Sequence, residues 1–171
     1  IFLRDRVTNT TSRVSVASDG TGLAKGGQLP AISDDGRFVA FRSRPPATET
    51  EGTNDVVLRD LQSGETSTIW VGPDNTQAAL TGDQPAISAD GRYVAFLAPF
   101  TPEDGTEAEL TLLVYDRQTD ETLPVPASAR ANSPDIADDG LVAFWSAAPD
   151  LVPNDNNGVG DIFADAAAQI A

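Results

Sequence analysis

One acidic stretch near the C-terminus has residue types and spacing that could bind a metal ion. It reads Asp-Asn-Asn-Gly-Val-Gly-Asp from position 155 to position 161. Hard cations such as Ca²⁺ take several oxygen ligands from a sharply turning loop, usually about twelve residues long. The candidate ligands are Asp155, Asn157 and Asp161, with Gly158 permitting the turn. The alternative is an Asn/Gly turn whose Asp caps backbone N–H groups, because this stretch is shorter than such a calcium loop.

Composition excludes several other kinds of site. The chain contains no His and no Cys, so a Ser-His-Asp triad, a His metal site, a thiol nucleophile and a disulfide cannot be built from it. It has no Gly-x-Ser-x-Gly elbow and no Gly-rich phosphate loop. Nothing singles out a pair of carboxylates of the kind that glycosidases use. We therefore predict a protein that is not an enzyme, with no catalytic and no cofactor-binding residues apart from the possible calcium ligands.

The net charge bears on partners and location. The chain carries 26 Asp and Glu against 11 Lys and Arg, giving a net charge of −15 and a pI near 4.1. Nucleic acid is disfavoured as a partner because phosphate contacts need clustered Lys and Arg. Anionic membrane surfaces are disfavoured for the same reason, and no apolar run is long enough to insert into a bilayer. The acidic surface favours solubility, and we predict an extracellular, cell-surface or periplasmic location.

An internal repeat supplies the elements that must position these residues. Pro-Ala-Ile-Ser-Asp-Asp-Gly-Arg-Phe-Val-Ala-Phe spans 30–41, returns with two changes at 85–96, and returns in a shorter form without the Arg at 134–144. Self-similarity at a period of about fifty residues indicates a repeat architecture.

Each copy of the repeat predicts a β-hairpin. An Asp-Gly pair would supply the two positive-φ positions of a type I′ turn. These pairs lie at 35–36, 90–91 and 139–140. The apolar run after each turn, such as 38–41, suits a strand that is buried on both faces. Pro30, Pro85 and Pro134 would occupy the first strand position, where a missing N–H costs least.

A second hairpin pattern follows each of the two longer copies. An extended run ends in Asp, a polar turn follows, and a second extended run comes next. These pairs of runs are 56–60 with 66–71, and 112–116 with 122–125; the N-terminus shows the same pattern at 1–5 with 11–16, and 161–165 begins another. One unit is thus four strands, which we name a, b, c and d. Four-stranded units repeated radially are propeller blades.

The repeat resembles that of a known family. Pro-x-Ile-Ser-x-Asp-Gly-Arg-x-Val-Ala-Phe, an acidic or Asn/Gly-rich loop, an Asp-ended strand and a Gly turn together resemble the TolB-type β-propeller repeat, a relative of the WD repeat. The stretch 150–163 resembles the form common in large secreted bacterial proteins. The resemblance covers nearly the whole chain and implies an all-β propeller segment of four-stranded antiparallel blades. Such repeats serve many roles.

The strand count predicts one segment over 1–171 with incomplete ends. A partial blade covers 1–16, full blades cover 28–71 and 84–125, and a partial blade covers 133–165. Closed propellers have about four to eight blades, more than these thirteen strands provide. An open arc exposes edge strands and apolar sheet faces, which promotes association. Either other copies complete the arc, with strand d at 11–16 entering a neighbour's last blade, or the chain is an excerpt of a longer protein.

The predicted function follows from these incomplete ends. We expect a non-enzymatic, secreted or cell-surface structural scaffold that binds protein partners and self-associates through its terminal strands, as an oligomer or a filament. The alternatives are a periplasmic adaptor similar to the propeller of the Tol-Pal system and the propeller gate of a larger serine peptidase. Arg37 and Arg92 are expected to pair with nearby Asp residues. Four aromatic residues are expected to pack between blades. They are Trp70, Tyr93, Phe100 and Trp145.

Overall fold

The computed structural model describes residues 1–23, 26–43, 55–69, 84–100, 109–126, 131–148, 151–153 and 159–166. The regular elements in these ranges are thirteen β-strands. They are β1 (Phe2–Asp5), β2 (Thr10–Arg13), β3 (Gly27–Ile32), β4 (Phe38–Ser43), β5 (Asp55–Asp60), β6 (Glu65–Thr68), β7 (Ala86–Ile87), β8 (Tyr93–Phe100), β9 (Glu109–Asp116), β10 (Glu121–Pro124), β11 (Ala131–Ile136), β12 (Leu141–Ser146) and β13 (Asp161–Ala166). Within the described ranges no helix has the length and apolar character needed to cross a membrane.

The strands form four antiparallel sheets in chain order. The first sheet is β1-β2, the second is β3-β4-β5-β6, the third is β7-β8-β9-β10 and the fourth is β11-β12-β13. Within each sheet, every strand pairs with its neighbours in sequence, as expected for hairpins joined in series. The architecture is therefore all-β, with two full four-stranded blades and two partial ones, which confirms the predicted fold class.

The apolar core lies between successive sheets. One cluster joins the first and second sheets around Phe41, a second joins the second and third sheets around Phe96, and a third joins the third and fourth sheets around Leu112. Strands β4 and β8 each contribute side chains to two clusters, so their central residues are buried on both faces. This confirms the prediction from their uninterrupted apolar runs.

The Asp-Gly turns differ from the predicted type I′ turns. Glycine is left-handed in each turn, with φ of 71° at Gly36 and 83° at Gly140, but the preceding Asp is not among the described residues with positive φ. The Gly36 N–H donates to the Ser33 carbonyl at 2.9 Å. One left-handed glycine after an i to i+3 hydrogen bond matches a type I turn followed by a G1 bulge. The Asp35 carboxylate favours this geometry by accepting the Arg37 N–H at 2.9 Å.

The repeated prolines also lie elsewhere than predicted. Pro30 and Pro134 are inside β3 and β11, within the segments where the pairing register shifts. Pro85 directly precedes β7. In all three copies the residue before the proline is left-handed, as in Gln84 with φ of 67°. A bulge leaves a residue without a ladder partner, so a proline there removes no hydrogen bond.

Candidate functional site

Two arginine–aspartate pairs join strand b to strand c in the full blades. Arg37 donates to both carboxylate oxygens of Asp60, at 3.1 and 2.8 Å. Arg92 makes the equivalent contacts to Asp116, with the shortest at 2.7 Å. Bidentate pairs of this kind fix both side chains in one geometry. The predicted pairing of these arginines with nearby aspartates is therefore confirmed.

The same aspartates also hold the turn between strands c and d. Asp60 accepts the Gln62 N–H and Asp116 accepts the Gln118 N–H, each at 2.8 Å. The hydrogen bonds from Arg37 hold the pKa of Asp60 well below its usual range. Burial would raise the pKa of Asp116, but its hydrogen bonds outweigh burial and the pKa is lowered. Both carboxylates are thus committed as structural anions.

The hydroxyl groups of the Ser-x-Asp-Gly turns are engaged in the same way. Ser33 Oγ donates to Asp35 at 2.5 Å and accepts the Phe38 N–H at 3.0 Å. Ser88 Oγ repeats the pattern, donating to Asp90 at 2.7 Å. The recurrent serine, aspartate and arginine therefore stabilise the hairpins, and this use explains why they recur in the repeat.

The fourth sheet lacks both members of the ion pair. Leu141 directly follows the Gly of the third Asp-Gly pair, so no arginine stands there. The register pairs Ala166 with Leu141, just as it pairs Asp116 with Tyr93. Ala166 thus occupies the aspartate position, and matching Asp165 to the Asp that ends the other c strands is wrong by one residue. A lone arginine or aspartate here would have lacked its partner, so the two losses are consistent with each other.

An open cleft of about 390 Å³ lies between the second and third sheets. Its walls include Leu58, Ser67, Tyr115, Arg117 and Asp120. The Tyr115 hydroxyl donates to Asp120 at 3.0 Å, and burial together with that hydrogen bond raises the pKa of Tyr115 to about 12. The tyrosine is therefore a neutral hydrogen-bonding group at ordinary pH.

The Phe38 ring lines this cleft and stacks with a cation. The Arg117 guanidinium lies 4.2 Å from the centroid of the Phe38 ring and donates to the Gly91 carbonyl at 3.1 Å. These residues come from different repeat copies: Phe38 begins β4, whereas Gly91 and Arg117 lie in turns of the third sheet. Sequence reasoning missed the cleft because no motif within one copy signals a contact between two blades.

The predicted calcium ligands are mostly outside the described residues. Asp155 and Asn157 lie there, whereas Asp161 begins β13 and pairs with Ser146 across the sheet. Among the described residues no group of three or more His, Cys, Asp or Glu could hold a metal. Calcium binding therefore stays a prediction.

The predicted packing aromatics divide into two groups. Tyr93 is buried in the cluster between the third and fourth sheets, and Phe100 packs against the cluster between the second and third. Trp145 lies against Gly160 but leaves much of its ring exposed on the outer side of the fourth sheet. Trp70 lies outside the described residues. Inter-blade packing is thus confirmed for Tyr93 and Phe100, whereas Trp145 does not lie between two described sheets.

Two outer sheet faces are uncovered in the described part of the chain. We name as the C-terminal face the outer side of the fourth sheet, where cross-strand pairing groups Trp145 with Ile162. We name as the N-terminal face the outer side of the first sheet, with Phe2, Arg4, Thr11 and Arg13. The C-terminal face exposes Trp145 and Ile162, and the N-terminal face exposes Phe2 among polar side chains. Exposed apolar patches on a folded domain mark candidate interaction sites.

Comparison with known proteins agrees with this architecture. No family model and no curated protein matches the chain. Solved structures do match, and the class they define is the β-propeller. The matches include oligogalacturonate lyase from Vibrio parahaemolyticus, with a TM-score of 0.56 and 16% identity over 96% of this chain and 41% of that one. The β-propeller domain of the Trilobed protease from Pyrococcus furiosus matches with a TM-score of 0.51 and 18% identity, over 81% of this chain and 40% of that one.

A third match gives the same fold. TolB from Acinetobacter baumannii aligns with a TM-score of 0.54 and 18% identity, over 82% of this chain and 29% of that one. The chain thus folds as a segment of a β-propeller similar to those of these proteins, and it spans less than half the length of these three structures. Identities this low support the fold and leave function open.

Proposed function

We propose that the chain is a non-enzymatic interaction scaffold built of TolB-type blades, which associates through the outer faces of its end sheets. The carrying observation is that repeat positions buried between the inner sheets are exposed on the end faces. Burying apolar side chains contributes about 25 cal/mol per Å². The exposed apolar side chains of the end faces, Phe2, Trp145 and Ile162, therefore favour association with a protein surface.

The recurrent polar side chains make hydrogen bonds within the fold, which supports a non-enzymatic role. The recurrent Ser, Asp and Arg residues hold hairpins and turns, as the bonds of Arg92 and Ser88 illustrate. The sequence provides no His and no Cys for acid–base or nucleophilic work. We infer a role in binding and assembly, with protein partners rather than nucleic acid or membrane lipid.

We further propose a secreted, cell-surface or periplasmic location. The net charge of −15 supports this location, because a strongly charged surface keeps a protein soluble. Fractionating cells that express the native gene would test this, with the chain expected outside the cytoplasm. Recovery in the cytoplasmic fraction would contradict the proposal.

The solution mass of the chain tests the scaffold proposal itself. Sedimentation equilibrium should give a weight-average mass above the 17.9 kDa of one chain, rising with concentration. A mass of one chain at every concentration would overturn self-association.

Two alternative functions rest on the solved structures. The match to TolB favours an adaptor with a protein partner on one face. The match to the propeller of a protease favours the gate of a larger peptidase. Coding sequence adjoining this segment in its gene separates these two: an α/β-hydrolase domain would favour the peptidase gate, and a complete set of further blades would favour the adaptor.

Calcium binding at Asp155, Asn157 and Asp161 is a separate proposal, supported by the oxygen-rich spacing of these residues. A ligand that binds only the folded state at about 100 times its dissociation constant stabilises it by about 2.7 kcal/mol. Millimolar Ca²⁺ should therefore raise the melting temperature of the wild-type chain and not that of Asp155→Asn. An unchanged wild-type melting temperature would remove the proposal.

A further inference from the structure

The contact between neighbouring sheets follows one rule along the described chain. A residue of strand c that faces the next sheet shares an apolar cluster with a residue of that sheet's own strand c. The pairs are Ile1 with Val57, Val56 with Leu113, and Leu112 with Phe163. Equivalent backbone bonds fix the positions, because the carbonyls of Ile1, Val56 and Leu112 each accept an N–H from strand d.

Two residues of this series have no partner within the described chain. By strand register, Ile162 is equivalent to Ile1, Val56 and Leu112, which face the next sheet. Phe2 is equivalent to Val57, Leu113 and Phe163, which face the preceding sheet. Ile162 is 73% exposed, whereas its counterpart Leu112 is fully buried. Phe2 is likewise 73% exposed, whereas its counterpart Leu113 is fully buried. The two exposed residues are thus complementary halves of one more contact of the same kind.

Trp145, which pairs with Ile162 on the C-terminal face, is also more exposed than its equivalent in the third sheet. Trp145 is 38% exposed, whereas Leu97 at the equivalent position of β8 is 5% exposed. The register pairs Trp145 with Ile162 as it pairs Leu97 with Leu112. The pair of Leu97 and Leu112 is therefore buried in the third sheet, whereas the equivalent pair of Trp145 and Ile162 is exposed on the fourth.

The two end sheets also differ in charge. Residues 1–16 contain Arg4, Arg6 and Arg13 with a single acid, Asp5. Residues 131–171 contain neither Lys nor Arg, and Asp135 lies on the C-terminal face because it pairs with Ala143, two residues before Trp145. Opposite charges on two surfaces favour their encounter, whereas two copies of one surface repel each other. The charge pattern therefore favours contact of the N-terminal face with the C-terminal face over contact of either face with its own copy.

We propose that the C-terminal face binds the N-terminal face of a second copy of this chain, with Ile162 and Trp145 of one copy packed on Phe2 of the other. This inference rests on the proposed scaffold function and specifies which face of one copy contacts which face of the next. The contact is heterologous, so it generates rings when the rotation closes and filaments when it does not.

Stacking of faces also preserves contacts that strand exchange would break. The Val14 N–H donates to the Ile1 carbonyl at 3.0 Å, and the Val14 side chain is buried in the cluster between the first and second sheets. Donating the strand at 11–16 to a neighbour would remove both interactions. Face stacking leaves β1 and β2 paired and adds a further apolar cluster.

Mixing two variants tests the polarity. Phe2→Asp removes one face and Ile162→Asp removes the other, and each variant should stay monomeric because it buries a carboxylate at the contact. The wild-type chain should associate, dissociate on dilution, and associate more weakly at high salt because charge attraction is screened. An equimolar mixture of the two variants retains one intact contact and should form a dimer that grows no further.

Val7→Asp is the matched control, because Val7 is exposed in the turn between β1 and β2 and belongs to neither face. It should associate as the wild type does, and all three variants should melt as the wild type does when dilute. We expect the dissociation constant to rise by more than about tenfold in either face variant, because each variant loses a buried apolar contact.

The outcomes separate the two proposals. A wild-type chain that associates while the mixed variants remain monomeric overturns the head-to-tail contact and leaves the scaffold proposal standing. Self-association of either single variant at wild-type strength also overturns it. A wild-type chain that stays monomeric at all concentrations overturns both. Trp145→Lys provides a second variant of the C-terminal face, and it should pair with Ile162→Asp no better than that variant pairs with itself.

Discussion

The third and fourth sheets carry copies of one repeat in two different surroundings. Strand β8 is buried over Tyr93 to Ala98, because sheets pack on both of its sides. Strand β12 shares the central Val-Ala-Phe with β8, yet its side chains alternate between buried and exposed. The difference teaches that a neighbouring sheet decides burial here, since the local sequence is apolar on both faces in each strand.

The third and fourth sheets also differ in their polar side chains. The third sheet pairs Arg92 with Asp116, whereas the fourth sheet has Leu141 after its turn and Ala166 opposite it. The inner hairpin is thus held by a bidentate ion pair and two apolar layers, and the end hairpin by one apolar layer. We therefore expect the fourth sheet to be the less stable of the two.

The largest predicted effect compares one apolar position in both sheets. Leu112→Ala should lower the free energy of unfolding by about 3 kcal/mol, because it leaves a cavity between two sheets. Ile162→Ala in dilute protein should change it by less than about 0.5 kcal/mol, since the side chain is exposed. Urea unfolding of both variants measures this, and equal losses would abolish the contrast.

Removal of the buried carboxylate should have a similar effect. Asp116→Ala should cost about 3 kcal/mol because it leaves a partly buried cation without its anion. Asp60→Ala should cost about 1 kcal/mol, since that pair is more exposed to water. Asp165→Ala, one residue before the equivalent position, should change stability by less than about 0.5 kcal/mol. Thermal unfolding ranks the three, and a ranking with Asp165→Ala first would refute the assignment by register.

A smaller effect is predicted at the turn glycines. A Cβ at Gly91 would lie 2.4 Å from the Phe38 ring, in a left-handed backbone conformation. Gly91→Ala should therefore cost more than about 2 kcal/mol, combining steric overlap with the left-handed penalty. Gly140→Ala in the end hairpin meets Tyr93 at 3.7 Å and should cost about 1 kcal/mol. Equal losses on chemical unfolding would mean that the inner turn is not pressed against its neighbour.

The smallest predicted effect is a dependence on pH. The pKa values of Asp60 and Asp116 are lowered in the folded chain. Their contribution is complete above the unfolded pKa of about 3.9 and is lost as the pH falls through the lower folded values. Stability should thus drop below about pH 4, and the difference between wild type and Asp116→Ala should shrink there. A difference that is unchanged at acidic pH would contradict the role given to this carboxylate.

Much of the fold was predictable because the signals are local. Each hairpin carries its own Asp-Gly or polar turn and its own apolar run, so strand number, strand order and the partial end blades follow from 1–171 directly. The pairing of Arg37 with Asp60 was predictable too, since both residues recur at fixed places in the repeat. These features require knowledge of one blade only.

The missed features depend on geometry between or within strands that the residue types do not signal. The left-handed residues before the prolines, such as Leu29 and Ser133, reflect bulges that the spacing does not show. The position of Ala166 opposite Leu141 needed the register across the sheet. The cleft beside Tyr115 joins residues of two copies. The calcium prediction at Asp155 and Asn157 lies outside the described residues.

Hydrogen exchange measured strand by strand at several protein concentrations tests the central claim most directly. The claim is that the fourth sheet presents a face equivalent to an inner one and acquires its neighbour from a second copy. Amides of β8 should be protected to the same degree at every concentration. Amides of β12 and β13 should exchange quickly in dilute protein and slow as the concentration rises. Exchange from β13 that does not change with concentration would contradict the account.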